Sequence, residues 1–212
     1  MVSTISLARA AWVPDDPERD REAAAGLAVA WVRQQCAEQQ SSGILVLKAF
    51  GVERQIPSLR SFAAEHTVIT PGVPRSRGWR SGPVLAYAPD GTTLELAARL
   101  ARGSSLAAVE SAHRFPLRGW AHQLGAVDLS RPDERPEGLR PELAEAVDRL
   151  DLCTTNGFDD PFGKQQAQRI LRTLQGAGVL DRDVILGALA ARGASERAVR
   201  HLAKLINELD PQ

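Results

Sequence analysis

The chain has 212 residues, of which 43% are hydrophobic and 25% charged, and its net charge is zero. That balance is ordinary for a soluble globular protein, and its size suits one α/β domain plus a smaller appendage. It excludes a dedicated nonspecific nucleic-acid binder, which carries a strongly basic domain.

No run approaches the ~20 consecutive apolar residues of a membrane helix, so no membrane partner is expected. The stretch Met1–Arg9 has no basic flank before an apolar core, so no signal peptide is expected either. Cys36 and Cys153 lie far apart and form no Cys-x-x-Cys, which points to two reduced thiols in a cytoplasmic protein. Lysine occurs only at positions 48, 164 and 204, and the arginine and alanine richness suggests high-GC bacterial coding rather than a nucleic-acid signal. The charge is segmented: −1 over residues 1–70, +4 over 71–125, −6 over 126–160 and +3 over 161–212.

Residues 1–19 read as an irregular segment. A helix is expected over about 20–39, with Leu27, Ala28 and Trp31 on its inner face and Trp31 in the core. Ser41-Ser42-Gly43 ends it, and Ile44–Phe50 reads as a buried strand. Pro57 suits the first turn of a helix through His66, because its missing N–H is not needed there. Thr67–Thr70 reads as a short strand.

Residues Pro83–Glu110 read as a strand, turn, helix and strand. The apolar run Pro83–Ala88 meets the turn Pro89-Asp90-Gly91. A helix then starts at Thr92, where Thr92 and Glu95 suggest a reciprocal cap of two helix-start N–H groups. Leu94, Ala97, Ala98 and Ala101 make its apolar face, Gly103 suits a left-handed stop, and Ser105–Val109 is the second strand. A further helix is expected over 116–125.

Helices between strands imply parallel pairing. The expected fold is therefore a three-layer α/β domain over residues 20–129, with a mostly parallel, Rossmann-like sheet. Three prolines with acidic and glycine breakers make 130–141 a Pro-rich linker. Residues 142–212 read as a helical subdomain. Leu143, Val147 and Leu150 mark one helix. Asp160-Pro161 opens a second, Asp181 a third, and Ser195 a fourth.

Three places could carry function. The first is the row of strand carboxyl ends, where open α/β sheets bind ligands. Asp90, Gly91, Thr92, Thr93, Glu110 and His113 fall there; free N–H groups after Gly91 suit an anion, and His113 suits acid–base work beside Asp90 or Glu110. The second is the loop 71–82, whose Arg75, Arg77, Trp79 and Arg80 suit phosphate contacts with base stacking, or a protein interface. The third is the last helix pair, which resembles a helix-turn-helix: Arg197, Arg200, His201 and Lys204 would project outward, as a groove-reading helix needs.

The chain has no Gly-x-x-x-x-Gly-Lys-Ser/Thr, Gly-x-Gly-x-x-Gly, Gly-x-Ser-x-Gly or His-Glu-x-x-His, so neither cofactor nor metal nor a catalytic residue is expected. The expectation is a non-catalytic interaction or regulatory protein that binds a protein partner or nucleic acid. The alternative is a small-molecule enzyme or sensor with its pocket near Asp90, Thr92 and His113.

Overall fold

The structure, a computed structural model, describes residues 6–72, 81–111, 114–154, 158 and 160–209. Arg75, Arg77, Trp79 and Arg80 of the 71–82 loop, and His113, lie outside the described residues.

The strands are β1 (Arg9–Val13), β2 (Ile44–Val46), β3 (Thr67–Ile69), β4 (Val84–Tyr87), β5 (Ser105–Val109) and β6 (Val127–Asp128). They form one six-stranded sheet in the order β3-β2-β4-β5-β1-β6, and every pairing is parallel. Residues 1–19 are therefore not irregular throughout. Arg9–Val13 is an inner strand in register with both neighbours, Arg9 opposite Ser105 and Ala11 opposite Val127. β4 and β5 are buried at every position, which is why they read as continuous apolar runs rather than alternating ones.

Two pairs of helices cover the sheet. On one face α1 (Arg21–Glu38) and α2 (Pro57–Glu65) pack on Val13, Leu45, Leu85 and Ala107. On the other, α3 (Gly91–Leu100) and α4 (Arg118–Leu124) pack on Trp12, Val46, Ala86 and Ala108. The architecture is the three-layer, Rossmann-like α/β arrangement that the strand–helix alternation predicts.

Four local expectations are corrected. α1 buries Ala25, Ala28, Val29, Val32 and Cys36, a stripe of small residues that lets the helix lie close on the sheet. Trp31 is only half-buried at the edge of that core, and Leu27 is 37% exposed. β2 stops at Val46, and Phe50 is 60% exposed. Thr92 does not cap α3. Asp90 does, accepting from the Thr93 amide at 2.9 Å, while Glu95 faces the start of the last helix. Gly103 has the expected left-handed conformation, φ 73°.

Residues 130–140 form no helix or strand and are almost all exposed. Beyond them come α5 (Pro141–Thr154), α6 (Pro161–Gly176), α7 (Arg182–Ala191) and α8 (Glu196–Leu209). Leu150, Leu171, Ile185, Leu189 and Leu202 lie at the centre of their apolar core. Asp160 caps α6 through the amides of Phe162 and Gly163, and Asp181 caps α7 through Val184.

α7 crosses α4 at backbone contact. A Cβ on Gly119 would fall 1.9 Å from the Val184 carbonyl oxygen, and one on Gly187 would fall 2.6 Å from the Trp120 amide nitrogen. Only glycine permits that approach, and it joins the helical part to the α/β layers. The Arg118–Asp181 ion pair sits at the same crossing.

Candidate functional site

The chain leaves β2 and β1 toward α2 and α1 on one face, and leaves β4 and β5 toward α3 and α4 on the other. In the sheet β2 neighbours β4, and β5 neighbours β1. Each of these two pairs therefore sends its following loops to opposite sides. A crevice opens at such a reversal, beyond the carboxyl ends of the strands.

The structure has a cavity at each. The first, of about 340 Å³, lies between the start of α1, the Val52–Gln55 3-10 turn and the end of β4. Leu47, Val52 and Ile56 give it apolar wall; Arg21, Lys48, Gln55, Tyr87, Ser111 and Arg114 give it polar groups. The second, of about 220 Å³, adjoins it and shares Arg21, Tyr87 and Ser111. Its other wall is the turn after β1, with Asp15, Asp16 and Arg19, together with Glu110 at the end of β5.

Three carboxylates build this edge. Glu110, at the end of β5, accepts from the Leu117 amide at 2.6 Å and from the Asp15 amide at 3.2 Å. It thereby ties the β1 turn to the start of α4. Glu22 reaches from α1 to the start of α2, where it accepts from the Ser58 amide at 3.1 Å and from the Ser58 hydroxyl. Ile56, the residue at the cap position of α2, supplies no side-chain bond, so Glu22 replaces a local cap.

Asp90 is the third. Its Oδ1 accepts from both the amide and the hydroxyl of Thr93, and its Oδ2 lies 3.2 Å from Lys48 Nζ. Burial pushes its carboxyl up, but the two Thr93 hydrogen bonds and Lys48 outweigh that and hold it below the ordinary range. The Tyr87 hydroxyl is pushed up by burial, with nearby Arg21 opposing the rise. Ala88, at the cavity wall, has φ 44°. A left-handed alanine costs roughly 1–2 kcal/mol, and such strain clusters at ligand sites.

A third cavity, of about 320 Å³, opens on the opposite face between the start of α3 and the α7–α8 pair. Asp90, Gly91 and Arg114 line it from the sheet side, and Arg182, Glu196 and Arg200 from the helices.

The predicted strand-end residues thus divide. Asp90 and Gly91 border the α7–α8 cavity, Glu110 borders the β1-side cavity, Thr93 is buried in the cap, and Thr92 is exposed. Arg21, Lys48 and Tyr87 line the cavities without having been predicted, whereas Ser111 and Arg114 belong to the strand-end stretch that begins at Glu110. Tyr87 carried a readable signal, as the chain's one tyrosine at the carboxyl end of a buried strand.

The basic residues of α8 also divide. Arg197 and Lys204 are exposed, His201 is half-buried, and Arg200 is paired with Glu196 one turn earlier. The first turn of α8 rests on α3: the Glu196 amide meets Glu95 at 3.3 Å, and the Glu196 side chain lies against Gly91.

Among the described residues no group of three or more His, Cys, Asp or Glu is placed to hold a metal ion, and no helix is long and apolar enough to cross a membrane. No protein family matches this chain, and no curated protein or solved structure is significantly similar to it.

Proposed function

We propose that this protein binds a small molecule at the carboxyl edge of its sheet, as a sensor or carrier. The observation that carries this reading is the 340 Å³ cavity at the β2–β4 reversal. Small-molecule pockets are concave, begin at about 300 Å³, and combine apolar wall with a few polar groups. The left-handed Ala88 at its wall supports the same reading. The buried thiols Cys36 and Cys153 suit a cytoplasmic setting.

Native mass spectrometry after incubation with a cell metabolite extract tests it. The wild-type chain gains a discrete mass. Ser111→Trp, which fills the space shared by the two adjoining cavities, does not. An equal gain in both proteins places the ligand elsewhere.

A second reading is partner or nucleic-acid binding through α8, with Arg197, Arg200, His201 and Lys204 as the contacts. The exposure of Arg197, Arg200 and Lys204 favours it. The seating of the first turn of α8 on α3 favours a protein partner over DNA, because a recognition helix reads bases with its N-terminal residues. Binding of duplex DNA that falls steeply with salt, and falls further in Arg197→Ala/Arg200→Ala/Lys204→Ala, supports DNA instead.

A further inference from the structure

We infer that the ligand of the 340 Å³ cavity is an anion, a small molecule bearing a phosphate or carboxylate group held between Arg21 and Arg114, an assignment that rests on the small-molecule reading above.

The argument is a charge balance over the residues that line the cavity. Glu22 is the one acid among them, facing Arg21, Lys48 and Arg114. The Glu22 carboxylate is already occupied by the amide and hydroxyl of Ser58. Lys48 is matched by Asp90 at 3.2 Å. Among the described residues, neither Arg21 nor Arg114 is in an ion pair. The lining therefore holds three cations against the single acid Glu22, and neither guanidinium is spent on an ion pair, so the site keeps an excess of positive charge.

Guanidinium is the side chain best matched to phosphate and carboxylate, since its planar fork donates two parallel hydrogen bonds. Arg21 is the first residue of an 18-residue helix, so the amide dipole of α1 adds to the positive potential there. Ser111, at the shared wall, and Gln55 add neutral polar groups. Leu47, Val52 and Ile56 form the opposite, apolar wall and suit the uncharged body of the ligand. The anion would sit toward α1 and the β5 end, with the apolar part toward the 3-10 turn.

The test compares matched pairs of probes by amide chemical-shift titration: adenosine monophosphate against adenosine, and benzoate against benzamide. The shifts are read at Lys48, Ala88 and Ser111. The anionic member of at least one pair binds there, and Arg21→Ala/Arg114→Ala weakens it about tenfold or more, the loss expected for charge-assisted hydrogen bonds. The neutral member is affected less than twofold. Arg172→Ala, on the exposed surface of α6 and outside the cavity lining, leaves all four probes unchanged. The phosphate and carboxylate arms separate the two sources of negative charge.

Neutral probes that bind as well as their anionic partners, or anions whose affinity survives Arg21→Ala/Arg114→Ala, overturn the anion assignment while leaving a ligand cavity. No perturbation at Lys48, Ala88 or Ser111 with any probe overturns the cavity reading and the anion assignment together.

Discussion

The carboxyl edge of the sheet and the outer face of α8 both carry basic side chains, but they present them differently. At the sheet edge, Arg21 and Arg114 border a concavity whose one acid, Glu22, already accepts hydrogen bonds from Ser58. On α8, Arg200 is matched by Glu196 within the same helix, and Arg197 and Lys204 are exposed. An exposed pair four residues apart on a helix adds little to stability, and it offsets the charge that Arg200 would offer a partner. The lesson is that a count of arginines does not locate a site. What locates one is the balance of each charge inside a shape that excludes water.

The two regions depend on the α4–α7 crossing, and its disruption is the largest effect expected. Gly119→Ala places a methyl carbon 1.9 Å from a backbone oxygen, so the helices must separate. The cost should be about 3 kcal/mol or more, read as a lower urea midpoint. Near-normal stability of this variant would show that the helical part moves independently of the sheet.

Glu110 tests whether the strand-end cleft is built by its own acids. Removing its carboxylate leaves the amides of Leu117 and Asp15 without an acceptor. Glu110→Ala should cost about 2 kcal/mol and weaken any ligand in the adjoining cavities. A variant of unchanged stability would mean that the β1 turn and α4 hold without it.

The regions also differ in the sign of their acid response. The folded-state pKa of Asp90 lies below its unfolded value, so its contribution is present above the ordinary value of 3.8 and is lost as pH falls through the folded pKa. Asp151 in α5 has the opposite shift. Its burial raises the carboxyl, Arg192 opposes that at 4.0 Å, and Asp148 adds to it, while its Oδ1 has no hydrogen-bond partner among the described residues. A raised acid disfavours the fold at neutral pH; that penalty starts to shrink as pH falls through the folded pKa and is gone below the ordinary value of 3.8. Asp90→Asn should therefore flatten the loss of stability below pH 3.8, whereas Asp151→Asn should raise stability at neutral pH and change nothing in strong acid. Parallel pH profiles for the two variants would break the contrast.

The smallest effect belongs to the strained wall. Ala88→Gly releases the left-handed cost at φ 44° against the greater chain entropy of glycine. Stability should rise by about 0.5–1 kcal/mol, read as a small increase in Tm.

Much of the architecture was legible because its strands are short apolar runs bounded by turn residues. Val84–Tyr87, Asp90-Gly91 and Ser105–Val109 are of this kind. β1 was not. Arg9-Ala-Ala-Trp-Val13 is closed by Pro14-Asp15-Asp16-Pro17 but has no turn residue directly before it and only one β-branched side chain, and its strand character comes from pairing with β5 and β6, far away in sequence. The cap of α3 was misplaced by two residues because Asp90 and Thr92 both offer an acceptor three residues before a polar partner. The chain emerges from β4 in extended conformation at Asp90, φ −89° and ψ 177°, and that geometry decides. At the site, Asp90, Gly91 and Glu110 could be placed at strand ends from the strand pattern. Arg21, Lys48, Tyr87 and Arg114 could not be grouped, because the strand order that brings β2, β4 and β5 together is a tertiary fact.

The most direct test of the central claim is a crystal structure of the protein soaked with a set of small anionic and neutral fragments. The account predicts density between Arg21, Tyr87 and Arg114, with apolar groups toward Leu47 and Ile56. Fragments seated only in the cleft between α3 and the α7–α8 pair, or nowhere along the carboxyl edge, would contradict it.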